Sequence, residues 1–172
     1  MAAVDQAQHR QQNLYWNQLI ELKVACGYIR RYRDRQSVWV RRFAVLKAVA
    51  SSGSIAGWAV WKDYAFIWGM IIALAQLADA LSGALPFTKI HKAASEHTVA
   101  LDGMFIDAQL EWEAIFAGRV ADEEIANRLH RLRKAQHAAE SKHFPDGLAV
   151  NQAMFDLAQR EAQAYIEANY DV

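Results

Sequence analysis

One long apolar segment, from Phe43 to Phe87, constrains the fold of this chain more than any other feature. Both flanks are dense in charged residues, whereas the segment itself carries only Lys47, Lys62, Asp63 and Asp79. Averages over the whole chain do not show this contrast, because the 19 basic residues balance the 19 acidic ones and the mean hydropathy is −0.10. The hydrocarbon core of a bilayer, about 30 Å thick, needs roughly 20 apolar helical residues. The segment is long enough for two such spans.

We expect two transmembrane helices here, at about residues 43–61 and 64–85. The second is the stronger prediction, since the first contains Lys47 and three serines. Only Lys62 and Asp63 separate the two spans, so the helices must run antiparallel as a hairpin. Tryptophan and tyrosine side chains cluster around this turn, as is typical of the headgroup layer. Basic residues flank the opposite ends of both spans, which predicts that both termini lie in the cytoplasm.

The remaining sequence predicts further helices, and hence an all-α membrane protein. With two prolines and eight glycines in 172 residues, few positions favour turns. Apolar stripes predict a cytoplasmic N-terminal helix at about 4–35 and C-terminal helical arms at about 88–116, 121–143 and 148–169. We expect these stripes to be seams of a helical bundle, within one chain or between chains. The predicted organisation is residues 1–42, 43–86 and 87–172. The inward positions are Tyr15, Leu19, Leu22, Cys26, Ile29, Leu101, Phe105, Ala108, Trp112, Ile115, Ile125, Leu129, Leu132, Ala139, Phe155, Ala158, Ala162 and Tyr165.

Polar residues within the predicted spans form two stripes. Their positions along the helices put them on common faces, and Lys47 and Asp79 fall at nearly equal depth, so we expect these two to pair. The stripes have two interpretations: hydrogen bonding between helices, or the wall of a water-filled pore. A pore would need several chains, and we expect a homo-oligomer of about four copies. The candidate pore-lining residues are Lys47, Ser51, Ser54, Trp58, Gln76 and Asp79.

Basic residues cluster in two places outside the spans. The first cluster puts six arginines into thirteen positions, 30–42, and would bind either anionic lipid headgroups or an anionic ligand such as a nucleotide. The second lies in the predicted helix 121–143 and is either a solvated face or a phosphate contact. The candidate ligand-binding residues are Arg30, Arg31, Arg33, Arg35, Arg41, Arg42, Arg128, Arg131 and Lys134.

Motifs of catalysis are missing from the sequence. It contains no phosphate-binding loop, nucleophile elbow or zinc-protease motif. None of the six histidines is four residues from another, the spacing that would direct two imidazoles to one metal from a helix. The single cysteine, Cys26, allows no intrachain disulfide, and its stripe predicts a core position. We therefore predict a protein that is not an enzyme and uses no metal or cofactor.

This organisation resembles the SLATT domains, two-helix membrane effectors of bacterial nucleotide-signalling and anti-phage systems. The similarity covers residues 10–115. It lies in a helix with a basic end (IRRYRDRQ), a hairpin joined by WKDY, and an arm that begins TKIHKAASEH. In size and layout the chain is most similar to the effector that partners a nucleotidyltransferase in the Hailong defence system.

The resemblance implies a homo-oligomeric ion channel of the bacterial inner membrane. A product of the partner nucleotidyltransferase, such as a single-stranded DNA oligomer or cyclic nucleotide, would hold it shut, and its release would depolarise the cell. Two other interpretations of the sequence remain open. One is a non-conducting membrane anchor that scaffolds a partner, and the other is a soluble bundle with residues 43–86 in its core.

Overall fold

A computed structural model describes residues 2–60, 66, 69–70, 73–74, 76–77, 80 and 87–170. Of residues 2–9, 46–47, 49–60 and 87, only the backbone is described. Within these ranges the protein contains four long helices and no strand: α1 (Ala2–Val60), α2 (Phe87–Phe116), α3 (Asp122–His143) and α4 (Gln152–Asn169). The prediction of an all-α fold is confirmed.

Local sequence signals account for several helix ends. Gly118, with φ +67°, follows α2, and Gly147, with φ +78°, lies between α3 and α4; both angles favour a residue without a side chain. Helix α3 begins with three acidic residues, 122–124, and ends with Lys142 and His143, a charge order that complements the helix dipole. The predicted helices 88–116 and 121–143 are therefore accurate to one residue.

Helix α4 begins at Gln152 rather than at the predicted position 148. A distant side chain explains the difference. The Tyr28 hydroxyl donates a hydrogen bond to the Ala149 carbonyl at 3.2 Å and accepts one from the Asn151 amide at 3.0 Å. The Asn151 side chain then caps α4 by accepting from the Met154 amide at 3.1 Å. The Ala149 carbonyl and the Asn151 amide thus find their partner in Tyr28 rather than within a helix.

Helix α1 is continuous from Ala2 to Val60. The sequence had predicted a helix ending near 35 and a separate span beginning at 43. Residues 36–42 contain neither glycine nor proline, so nothing in this interval interrupts the hydrogen-bonding pattern of the helix.

The chain divides into two compact units. The bundle unit comprises Met1–Tyr32 and Ala93–Val172, and the inserted unit comprises Arg33–Lys92. Four helical segments pack in the bundle unit, and all five residues of the predicted N-terminal stripe are buried there. They contact α2 and α3 in one apolar cluster. A second cluster joins Val24 and Tyr28 to Ala158 and Ala162 of α4. The predicted stripes are thus seams within one chain.

A few predicted inward positions differ from the structure. Phe155 is 37% exposed, and Trp112, Leu132 and Tyr165 are only partly buried at the edge of the core. Ile166, which the prediction omitted, is buried instead. It follows Ala158 and Ala162 at intervals of four, so the inner face of α4 is rotated slightly from the predicted one.

In the inserted unit, apolar side chains are exposed. Phe66 is 82% exposed, and Met70, Leu74 and Leu77 are each more than half exposed. Among the described residues, no helix is both long enough and apolar enough to cross a membrane. The predicted span 64–85 falls largely outside the described residues, as does the predicted turn at Lys62 and Asp63. The described residues therefore do not support the membrane part of the fold prediction.

Candidate functional site

The predicted pore-lining residues are described only in part. Helix α1 includes positions 47, 51, 54 and 58, so their spacing does place Lys47, Ser51, Ser54 and Trp58 on one helical face, although their side chains are outside the described residues. Gln76 is exposed. Asp79, and with it the predicted pair with Lys47, lies outside the described residues.

The first arginine cluster is divided between the two units. In the bundle unit, the Arg30 guanidinium donates to both Asp102 carboxylate oxygens, at 3.0 and 3.1 Å. Arg31 forms an ion pair of 2.6 Å with Glu161 on α4. Both arginines thus link α1 to neighbouring helices. Sequence reasoning missed this role, because their partners lie 72 and 130 positions away.

The other four arginines belong to the inserted unit. Arg33 pairs with the adjacent Asp34 at 2.8 Å, and the Arg42 guanidinium lies 5.5 Å from the centre of the Trp39 ring. Arg35 and Arg41 are exposed. The exposed guanidinium groups in this part of α1 can bind lipid headgroups or another anion.

The second basic cluster is partly neutralised by nearby carboxylates. Arg128 and Arg131 both bind the Glu124 carboxylate, at 3.1 and 3.0 Å, and the hydrogen bonds from Arg131 and Arg128 lower the pKa of Glu124. Lys134 is exposed and forms no ion pair within the described residues. The two arginines also line a hollow of about 210 Å³ that contains two carboxylates, from Asp107 and Glu111. This charge balance favours a solvated face over a phosphate contact.

A cleft of about 460 Å³ lies within the bundle unit, where all four helices approach one another. Its floor is apolar, with Val24, Tyr28 and Ile29 of α1 and Leu101 of α2 buried there. Its rim is polar or exposed, and part of it is the segment held by Tyr28. The other lining residues are Ile20, Glu21, Ala25, His97, Gln136, Glu140, Leu148, Val150, Phe155, Gln159 and Gln163. Sequence analysis did not identify this site, because no motif marks it.

Among the described residues, His97 is the one histidine that lines the cleft. Its side chain is buried, and its Nδ1 atom has no hydrogen-bond partner among the described residues. The rings of His143 and Phe144 pack against it at 5.7 and 5.6 Å. Burial and the neighbouring His143 lower the pKa of His97. The imidazole is therefore neutral near pH 7 and adds no positive charge to the cleft.

A second hollow, of about 420 Å³, is lined by aromatic residues. The Trp16 ring lies 4.8 Å from Trp112 and 4.9 Å from Tyr170, while Phe116 is 75% exposed. Gln12, Asn13 and Asn169 supply amides at its edge. Such a surface can stack a planar ring.

Comparison with family models, with curated proteins and with solved structures found no match to this chain.

The Tyr15 hydroxyl donates to the Glu111 carboxylate at 2.9 Å, and burial, together with this bond, raises the pKa of Tyr15, so this phenol stays protonated. No group of three or more histidine, cysteine or acidic side chains within the described ranges could hold a metal ion. Among the described residues, this cleft is the strongest candidate for a binding site, because residues of four helices line it.

Proposed function

We propose that the protein is a SLATT-type membrane effector that assembles into a homo-oligomeric ion channel. In this proposal the inserted unit carries the hairpin of residues 43–86 and the bundle unit is cytoplasmic, as are both termini, in the bacterial inner membrane. An anionic nucleotide or oligonucleotide made by a partner nucleotidyltransferase gates the channel. Opening depolarises the membrane and acts as an anti-phage defence.

The division of the chain into units is the observation that carries this proposal. Both predicted spans lie inside the inserted unit, Arg33–Lys92, whereas the bundle unit is built from the two ends of the chain. The bundle unit has its own apolar core, and the described members of that core lie outside residues 43–86. This supports a separate environment for the inserted unit and weighs against a single soluble core.

The exposed apolar residues of the inserted unit support a lipid or helix partner. Phe66, Met70, Leu74 and Leu77 follow one another at helical spacing, and all are more than half exposed. A contiguous apolar face of this kind in water is unfavourable and typically marks an interaction surface. Lipid tails and neighbouring copies of the hairpin would both cover it.

Ion flux through liposomes that contain the purified full-length chain tests the proposal. We expect a flux that changes when a single-stranded DNA oligomer or a cyclic nucleotide is added. The Asp79→Lys variant should alter the flux, and the Lys47→Asp/Asp79→Lys double variant should restore it if the two residues pair. Leu110→Ala on the exposed face of α2 is the control. Absence of flux with and without these ligands would exclude the channel.

A non-conducting scaffold is the second candidate function. The pairing of Arg30 with Asp102 and of Arg31 with Glu161 favours it, because arginines already bound to carboxylates are less available to an anionic ligand. A scaffold would tolerate apolar replacement of Ser51 and Ser54, whereas a channel would lose or change its conductance.

A further inference from the structure

We propose that the cleft of the bundle unit binds an organic cation, a positively charged amine that carries a planar apolar body. The lining residues given above include none of the predicted pore-lining residues and none of the predicted ligand-binding arginines. It therefore does not rest on the proposed channel function.

The charged residues of the cleft determine the sign of the charge that its ligand carries. Among the described residues, the charged side chains that line it are those of Glu21 on α1 and Glu140 on α3, and both carboxylates lie at the exposed rim. The described lining contains no lysine or arginine, and the neutral His97 contributes no charge. An anion placed here would be repelled by two carboxylates, whereas an ammonium group would be attracted by both.

Aromatic rings and apolar side chains in the cleft favour a ligand whose uncharged part is planar and apolar. The rings of Tyr28 and Phe155 lie 6.4 Å apart, tilted by 58°, and both line the cleft. Aromatic faces attract ammonium groups, and carboxylates strengthen such a site. The partly exposed side chains of Ile20, Ala25 and Leu148 offer an apolar surface to the body of the ligand. The volume, about 460 Å³, falls within the range of small-molecule sites.

Hydrogen bonds also fix two parts of the cleft's rim. Tyr28 binds the backbone of residues 149 and 151, which holds this side of the rim in place. On the other side, the buried Gln18 amide donates to the Gln136 side chain at 3.0 Å. A rim that is already ordered loses little conformational freedom when a ligand binds.

Three indole compounds that share a ring system but differ in charge test the proposal: tryptamine, tryptophol and indole-3-acetate. Binding to the full-length protein in detergent is measured by titration calorimetry, with protein-free detergent as the blank. We expect tryptamine to bind about tenfold or more tightly than indole-3-acetate, with the neutral tryptophol between them. Equal affinity for the three compounds, or no saturable tryptamine binding up to about 10 mM, would overturn the proposal.

Variants of the protein test whether the compounds bind in the cleft. The double variant Glu21→Gln/Glu140→Gln keeps the shape of the cleft and removes its charge, so tryptamine affinity should fall about tenfold while tryptophol affinity should not change. Glu123→Gln, an exposed carboxylate on α3 outside the cleft, is the matched control. Ala25→Phe, which places a ring inside the cleft and narrows it, should weaken the binding of both compounds. Tryptamine affinity that is unchanged in the double variant would place the cation elsewhere and contradict the assignment.

Discussion

Truncating one buried side chain in the core of the bundle unit should measurably lower the free energy of unfolding. Leu19 is completely buried, in the cluster that joins α1 to α2 and α3. Replacing a buried leucine by alanine leaves a cavity, so we expect Leu19→Ala to lower the free energy of unfolding by about 2–5 kcal/mol. Leu110 is 69% exposed on α2, and we expect Leu110→Ala to cost less than about 0.5 kcal/mol.

Cys26 provides an assay specific to this unit. It is the only cysteine in the chain, it is 3% exposed, and burial, with Asp102 as a second cause, raises the pKa of its thiol to about 12. Alkylation therefore requires the bundle to open, and when reclosing is fast the labelling rate is proportional to the open population. A loss of about 2–5 kcal/mol should increase the rate roughly 30-fold to 5,000-fold.

Labelling of the fully denatured proteins is the control, and its rate should be the same for the original chain and both variants. If Leu19→Ala labelled no faster than the original chain, Leu19 would not contribute to the core as described. If Leu110→Ala labelled as fast as Leu19→Ala, the exposed position of Leu110 would be wrong. Because the only cysteine lies in the bundle unit, the labelling rate reports the opening of that unit.

Three further predictions concern other parts of the molecule. Leu74→Arg places a charge on the exposed apolar face of the inserted unit at a cost of about 3 kcal/mol for insertion, so less protein should remain in carbonate-washed membranes than for the control Leu74→Phe; equal retention would contradict a membrane span. The pKa of His97 is lower in the folded state than its unfolded value of 6.5, so stability should be full above that pH and fall as the pH decreases below it. His97→Gln should therefore reduce the drop in melting temperature between about pH 7 and 5, and an unchanged drop would assign it to other groups. Tyr28→Phe removes two hydrogen bonds at a cost of about 1–3 kcal/mol, and hydrogen exchange at the Asn151 amide should accelerate; unchanged exchange would refute this anchor.

Patterns within the sequence were sufficient to identify the helices of the bundle unit, except for the start of α4. Gly118 and Gly147 mark two of its turns, and the stripe from Tyr15 to Ile29 identifies the buried face of α1. These features depend on neighbours within a few residues, through backbone conformation and the 3.6-residue period. They can therefore be read without knowing which helix packs against which.

Only the tertiary structure decided which groups meet across the bundle. It assigned Arg30 to Asp102 and Arg31 to Glu161, although the sequence suggested ligand-binding residues. It also set the start of α4 through Tyr28 and assembled the cleft from four helices. These contacts join residues 72 or more positions apart, and no local pattern specifies such pairs. The apolar segment from Phe43 to Phe87 is different: its composition predicts a membrane hairpin, and this remains a prediction for experiment.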